Sequence, residues 1–215
     1  MVNKFKISFD VETTGQSRLA GAMIEFSVVI IENETMQEYS TFKRQMLVPN
    51  DKGWDLNTVL EFWGKNLEVL NNIKKGMLKP EKVMNDFVSW LDTEQSSIIL
   101  SGGDLKWISD TSGFDYAWLD SYIEKYTDRP GISYVCVDTL PKPKKYKYLG
   151  DPIHTRSFYT GVLFALEGIE VHSTKVLREK LKLHNKSKFE NNHDSLSDAR
   201  ALVCDYLTYI QENKK

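Results

Sequence analysis

The chain has 215 residues, enough for one domain with a sizeable core, and it is read as a single domain over residues 1–215. Lys plus Arg number 28 and Asp plus Glu 30, so the formal charge of −2 excludes a uniformly basic nucleic-acid coat and leaves only local patches. Hydrophobic residues at 41% and charged residues at 27% exclude global disorder; no apolar run reaches the ~18–20 residues of a membrane span. Cys136 and Cys204 are too few for a disulfide framework or a four-cysteine zinc site. They read as reduced, buried thiols, which predicts a cytoplasmic protein. The stretch from Met1 to Asp10 is too short in apolar residues for a signal peptide and reads as a strand.

In chain order, residues 5–12 alternate: Phe5, Ile7, Phe9 and Val11 face one way, and Lys6, Ser8, Asp10 and Glu12 the other. Thr13-Thr14-Gly15 ends that strand. Residues 24–32 form a β-branched run that predicts a buried central strand, and 38–48 a third, with a tight Asn33-Glu34 turn and an antiparallel meander. Asp55 is placed as the cap of a helix reaching Leu67. Pro80 opens a helix over 80–92, Ile98-Ile99-Leu100 reads as a short strand, and Phe114 to Tyr126 as an amphipathic helix. Tyr134 to Val137 is a further strand, 141–152 a basic, aromatic loop, 153–167 and 172–182 helices, 184–193 a polar connection, and Ala199 to Ile210 the apolar stripe of a last helix. Strands followed by alternating helices and strands predict an α/β domain, a mixed sheet with helices on its faces.

Asp10 and Glu12, two apart on a strand, emerge on one face, where two carboxylates repel unless a hard cation lies between them. Alone, the pair would read as a solvated polar face, but Ser8 to Glu12 lies in an otherwise apolar segment. Asp115, beside Phe114 at a helix start, equally fits a first-turn acid favoured by the macrodipole. His193 and Asp198 open the last helix, where Ser195 is predicted as N-cap and Asp198 as the third residue of a capping-box-like pattern. The four lysines at 142, 144, 145 and 147, interleaved with Tyr146 and Tyr148, fit either a strand-tracking patch or a solubilising loop. Arg156 fits a phosphate contact or an internal brace. The five tryptophans read as core or rim residues.

Taken in order, ISFDVETTG, SGFDYAWLD and HDSLSDA resemble the three motifs of the DEDD 3′-5′ exonucleases, and the third resembles the histidine subgroup, DEDDh. The segment WDLNTVLEFWGKNLEVL is similar to the Thr-x-x-[Phe/Trp]-Trp-x-x-Gln segment of the exoribonuclease-like subfamily that includes phage exonuclease A, through Thr58, Phe62 and Trp63, with Asn66 in place of Gln. His154-Thr155-Arg156-Ser157 resembles that subfamily's Asp-x-Arg-Thr, with His154 and Ser157 as departures. The resemblance implies a ribonuclease-H-like fold and a four-carboxylate site of Asp10, Glu12, Asp115 and Asp198 for two Mg²⁺ or Mn²⁺ ions, with His193 as the base. It implies a 3′-5′ exonuclease acting on single-stranded RNA or DNA with a free 3′ end, RNA being favoured, and releasing nucleoside 5′-monophosphates. Arg156, Lys144 and Lys145 are candidate substrate contacts. A DNA-repair or proofreading exonuclease and a non-catalytic nucleic-acid-binding module are the competing readings.

Overall fold

Strand β1 (Lys4–Thr13) is the middle of the sheet, and its alternation decides what lies on either side. It pairs antiparallel with β2 (Met23–Glu32), which pairs antiparallel with β3 (Glu38–Gln45). Its other edge pairs parallel with β4 (Asp104–Ser109). The computed structural model describes residues 4–110, 112–136, 146–150, 152–159, 174–181 and 193–213.

Between β3 and β4 come α1 (Leu56–Glu61), a 3₁₀ turn (Trp63–Lys65), α2 (Leu67–Lys75) and α3 (Pro80–Leu100). After β4 follow a π-helical turn (Ser112–Tyr116), α4 (Ala117–Tyr126), the short strands β5 (Tyr134–Cys136), β6 (Tyr146–Tyr148) and β7 (Ile153–His154), then α5 (Thr174–Lys180) and α6 (Ser195–Glu212). The five-stranded mixed sheet has the order β3-β2-β1-β4-β7.

Each face of the sheet has its own core. Phe5, Ile7, Phe9 and Val11 join Phe26, Phe42, Phe87 and Trp118 under α3 and α4. On the other face Val29, Ile31 and Ile108 meet Ala199, Leu202, Val203 and Leu207 of α6. β2 is apolar on both faces because Val28 and Ile30 enter the first core and Val29 and Ile31 the second. Among the described residues, no helix is long and apolar enough to cross a membrane.

Several elements differ from the sequence expectations. Ile98-Ile99-Leu100 is the last turn of α3, which runs to Leu100, and not a strand. Ile98 is buried while Leu100 is exposed, and three apolar residues are too few to carry a period. Gly102, at φ +80°, ends the helix as the Gly103 amide returns to the Ile98 carbonyl at 2.8 Å, and only then does β4 begin. The helix expected over 153–167 begins later. Ile153 and His154 pair parallel with Ile108 and Ser109, and helical residues 155–159 follow; 160–167 lie outside the described residues.

The strand expected near Tyr134 leaves the main sheet and pairs with β6 inside the expected 141–152 loop. Lys142, Lys144 and Lys145 lie outside the described residues, as does 184–192. The turn after β2 is wider than a two-residue hairpin: the Glu32 amide reaches the Gln37 carbonyl, with Met36 at φ +58°. The helix capped by Asp55 breaks at Phe62 into a 3₁₀ turn that buries Trp63.

Phe87 packs edge-on to Phe26 at 5.0 Å and lies 5.2 Å from Phe42 and 5.9 Å from Trp90, centroid to centroid. Phe87→Ala removes the hub of this cluster and should cost ~3–5 kcal/mol in urea unfolding. A loss under ~1 kcal/mol would mean that the α3 face does not anchor the sheet.

Candidate active site

The C-terminal end of β1 delivers Asp10 and Glu12 to the face that α6 covers, while Val11 turns into the opposite core. The Thr-Thr-Gly turn beyond them is held from several directions. Thr14 Oγ1 donates to the Gly53 carbonyl at 2.6 Å and accepts from the Ala22 amide at 2.8 Å. The Asp55 amide donates to the Thr14 carbonyl, and the buried Trp63 indole N–H donates to the Thr13 carbonyl at 3.0 Å. A Cβ on Gly15 would stand 2.8 Å from Asp55 Cβ, so glycine is required there by close approach. The segment around Thr58, Phe62 and Trp63 therefore acts on the acidic strand end. Asp55 caps α1 by accepting from Thr58 N and Oγ1, and Asn66 Nδ2 donates to the Phe62 carbonyl.

Asp115 sits in the π-helical turn and is buried; such local widening of a helix often marks functional positions. Asp198 occupies the first turn of α6 and is also buried. The N-cap of α6 is Asp194, and not Ser195 as expected: Asp194 Oδ1 accepts from the Ser197 amide at 3.0 Å. Ser195 is drawn inward, donating to Glu25 Oε1 at 2.8 Å and lying 2.6 Å from Ser27 Oγ. Both residue types cap well, and a partner on β2 decides between them. His193, one residue ahead of the cap, adopts φ +60°, an uncommon conformation for a non-glycine residue. Its ring meets the Phe62 ring edge-to-face at 4.7 Å.

These side chains share one cleft of about 1350 Å³, lined among others by Asp10, Glu12, Asp115, His193 and Asp198, with Phe62 and Phe114 on its walls. One ligand atom each from Glu12, His193 and Asp198 can be chosen so that all lie within 4.8 Å of one another. Asp110, just beyond β4, adds a further acid, and Arg156 pairs with it at 3.1 Å. Arg156 thus braces the cleft wall while remaining part of its lining. Lys144 and Lys145 lie outside the described residues.

Burial and mutual repulsion dominate the electrostatics. Burial, then Asp115, Glu12, Asp198 and Asp110, hold Asp10 well above the usual carboxylate range. Glu12 is raised by burial, then by Asp198 and Glu25. Burial and Asp110 push Asp115 up to about 7, against a smaller opposing pull from Arg156. Carboxylates so destabilised as anions fit a hard divalent cation, and the donor set is oxygen-rich, with no thiolate among the described lining residues. The residues fit Mg²⁺ or Mn²⁺.

Sequence reasoning missed Asp110, Glu25 and Lys43. Glu25 stands across from Glu12 on β2, nearly fully buried, and Lys43 of β3 bonds to it. An acid inside the apolar run of β2 was the available signal for Glu25. Lys43 carried none.

No protein-family model matches the sequence, and no curated protein matches it. Solved structures do. The nuclease domain of 3′hExo, a DEDDh family member, bound to rAMP, superposes with a TM-score of 0.61 at 13% identity, over 98% of this chain and 92% of that one. E. coli Exonuclease I in complex with a 5cy-dA13 oligonucleotide gives 0.61 at 9% identity, over all of this chain and 41% of that one. S. pombe Pop2p in its Mg²⁺- and Mn²⁺-bound form gives 0.50 at 11% identity, over 97% and 83%. The chain has the ribonuclease-H-like mixed-sheet fold of these proteins.

The raised carboxyls carry a pH signature in metal-free protein. Asp115, at about 7 in the fold against 3.8 for the ordinary side chain, holds its proton longer folded than unfolded. Its contribution is intact below about pH 4 and is lost as pH rises through about 7. Asp115→Asn should therefore raise the Tm of chelator-treated protein, and more at pH 8 than at pH 5. An equal gain at both pH values would contradict the raised Asp115.

Proposed function

We propose that residues 1–215 form a single DEDDh exonuclease domain. In this reading it hydrolyses single-stranded nucleic acid from the 3′ end to nucleoside 5′-monophosphates and works in the cytoplasm. The observation that carries the proposal is the meeting of Asp10, Glu12, Asp115 and Asp198 with His193 in one cleft. Two Mg²⁺ or Mn²⁺ ions held by the four carboxylates would clamp the scissile phosphate and offset the charge on the departing 3′-oxygen. His193 accepts a proton from the water that attacks phosphorus, a task suited to an imidazole. The P–O3′ bond breaks, the 3′-oxygen of the shortened strand takes up a proton from solvent and becomes a hydroxyl, and the terminal nucleotide leaves as the 5′-monophosphate. Phe62 holds the His193 ring edge-on and, with Phe114, offers apolar wall to a terminal base.

Arg156 is proposed as a phosphate contact, presented to the cleft by its pairing with Asp110. Lys144 and Lys145 are proposed as further contacts to the strand. RNA is favoured over DNA by the likeness of the Thr58–Asn66 segment to the exoribonuclease-like subfamily. A ribonucleotide is bound in one structural neighbour and a deoxyoligonucleotide in another, so the fold accommodates either substrate class.

The test is a ladder from 5′-labelled linear RNA and DNA with Mg²⁺ or Mn²⁺, run beside circular single strands and a chelator control. Linear strands should shorten stepwise from the 3′ end, and circles should resist. Asp10→Asn should abolish the ladder, and His193→Ala should lower kcat by ~10²–10⁴. Efficient cutting of circles, or an Asp10→Asn protein that turns over normally, would overturn the assignment.

A further inference from the structure

His193 lies at the mouth of the connection into α6, with a backbone conformation that side chains seldom adopt. Such strain persists where neighbours over-determine it. On one side Phe62 packs against its ring. On the other the chain is fixed at the next residue: Asp194 caps α6 with one carboxylate oxygen and takes Lys43 Nζ at 2.5 Å on the other. Lys43 comes from β3, a strand that gives no residue to the cleft lining. The same ammonium lies 3.2 Å from Glu25 Oε1, and Glu25 is nearly fully buried, also accepting from Gln45 Nε2 at 2.6 Å and from Ser195 Oγ at 2.8 Å. Glu25 is therefore fixed on the sheet, and Lys43 ties the His193–Asp194 corner to it. The Lys43–Glu25 pair has one nearly fully buried partner and so anchors the ammonium, while the Lys43–Asp194 pair is partly exposed and charge-assisted.

We propose that Lys43 is a positioning residue for His193: through Asp194 it sets where the imidazole stands relative to Glu12 and Asp198. The proposal rests on the reading of His193 as the proton acceptor. It assigns Lys43 no contact with substrate. The consequence is an effect on turnover and not on substrate affinity, because displacing a proton acceptor by about 1 Å costs rate while the strand is still gripped.

The experiment measures kcat and KM for Lys43→Met, Lys43→Arg and Asp194→Asn, each with and without His193→Ala. Asn caps a helix about as well as Asp, so Asp194→Asn removes the charge to Lys43 while keeping the cap, and serves if Lys43→Met fails to fold. Lys43→Met and Asp194→Asn should each lower kcat about 10- to 100-fold, the usual effect of losing an outer-shell partner, with KM changed less than about threefold. Lys43→Arg, which keeps the positive charge, should restore kcat to within about threefold of wild type. In the His193→Ala background the same changes should alter kcat less than about threefold, because they act through the missing ring. An undiminished effect in that background, or an unchanged kcat in both charge-removing variants, overturns the proposal.

A second arm separates this from the exonuclease reading. The His193 ring-proton NMR shifts, set by the facing Phe62 ring, should move in Lys43→Met and stay near wild type in Lys43→Arg. If wild type degrades no strand yet those shifts move, the exonuclease reading falls and the tether stands. Unmoved shifts remove the tether whatever the activity.

Discussion

Carboxylates crowded into a low-dielectric cleft repel one another, and the surrounding structure has to hold Asp10, Glu12, Asp115 and Asp198 together against that repulsion. β1 is the middle strand; its pairing with β4 reaches Ser8, and its pairing with β2 continues through Asp10 and Glu12 and holds both on the sheet. The turn that follows cannot relax outward, because Trp63, Gly53, Ala22 and Asp55 each bond to Thr13 or Thr14. Asp198 is pressed against β1 because α6 buries Ala199, Leu202 and Val203 on the sheet. Hydrophobic burial on two faces thus supplies the force that keeps like charges near each other. This is a common arrangement at functional sites, where local stability is given up for a poised geometry.

Compensation by positive charge is placed around this cluster, one step removed from its centre. Arg156 meets Asp110 on the cleft wall, and Lys43 meets Glu25 and Asp194 outside the lining. Asp10 and Glu12 both stay raised. The flanking acids Asp110, Glu25 and Asp194 each have a cationic partner.

Legibility in the sequence followed the range of the interactions. The period-two alternation of residues 5–12 put Asp10 and Glu12 on one face without any further knowledge, and the strand ends came close to those observed. Asp115 and Asp198 were separable from ordinary first-turn acids only by the order of motifs, since a helix start favours an acid for its own reasons. The Ser195 cap, the strand at 98–100 and the helix from 153 were misjudged because each was decided at a distance. Ser195 is claimed by Glu25 and Ser27, the 98–100 segment is held in helix by the packing of Ile98, and residues 153–154 are claimed by the open edge of β4. Lys43 and Asp194 lie 151 positions apart, a separation at which no local pattern signals a contact.

The central claim is that this cleft is built to bind divalent cations through its carboxylates, and calorimetric titration of Mn²⁺ into chelator-treated protein at pH 8 tests it most directly. The account predicts binding of two ions to wild type, with at least one lost in Asp10→Asn and in Asp198→Asn while both variants keep their fold. Wild-type protein that binds no Mn²⁺, or variants that bind it as wild type does, would contradict it.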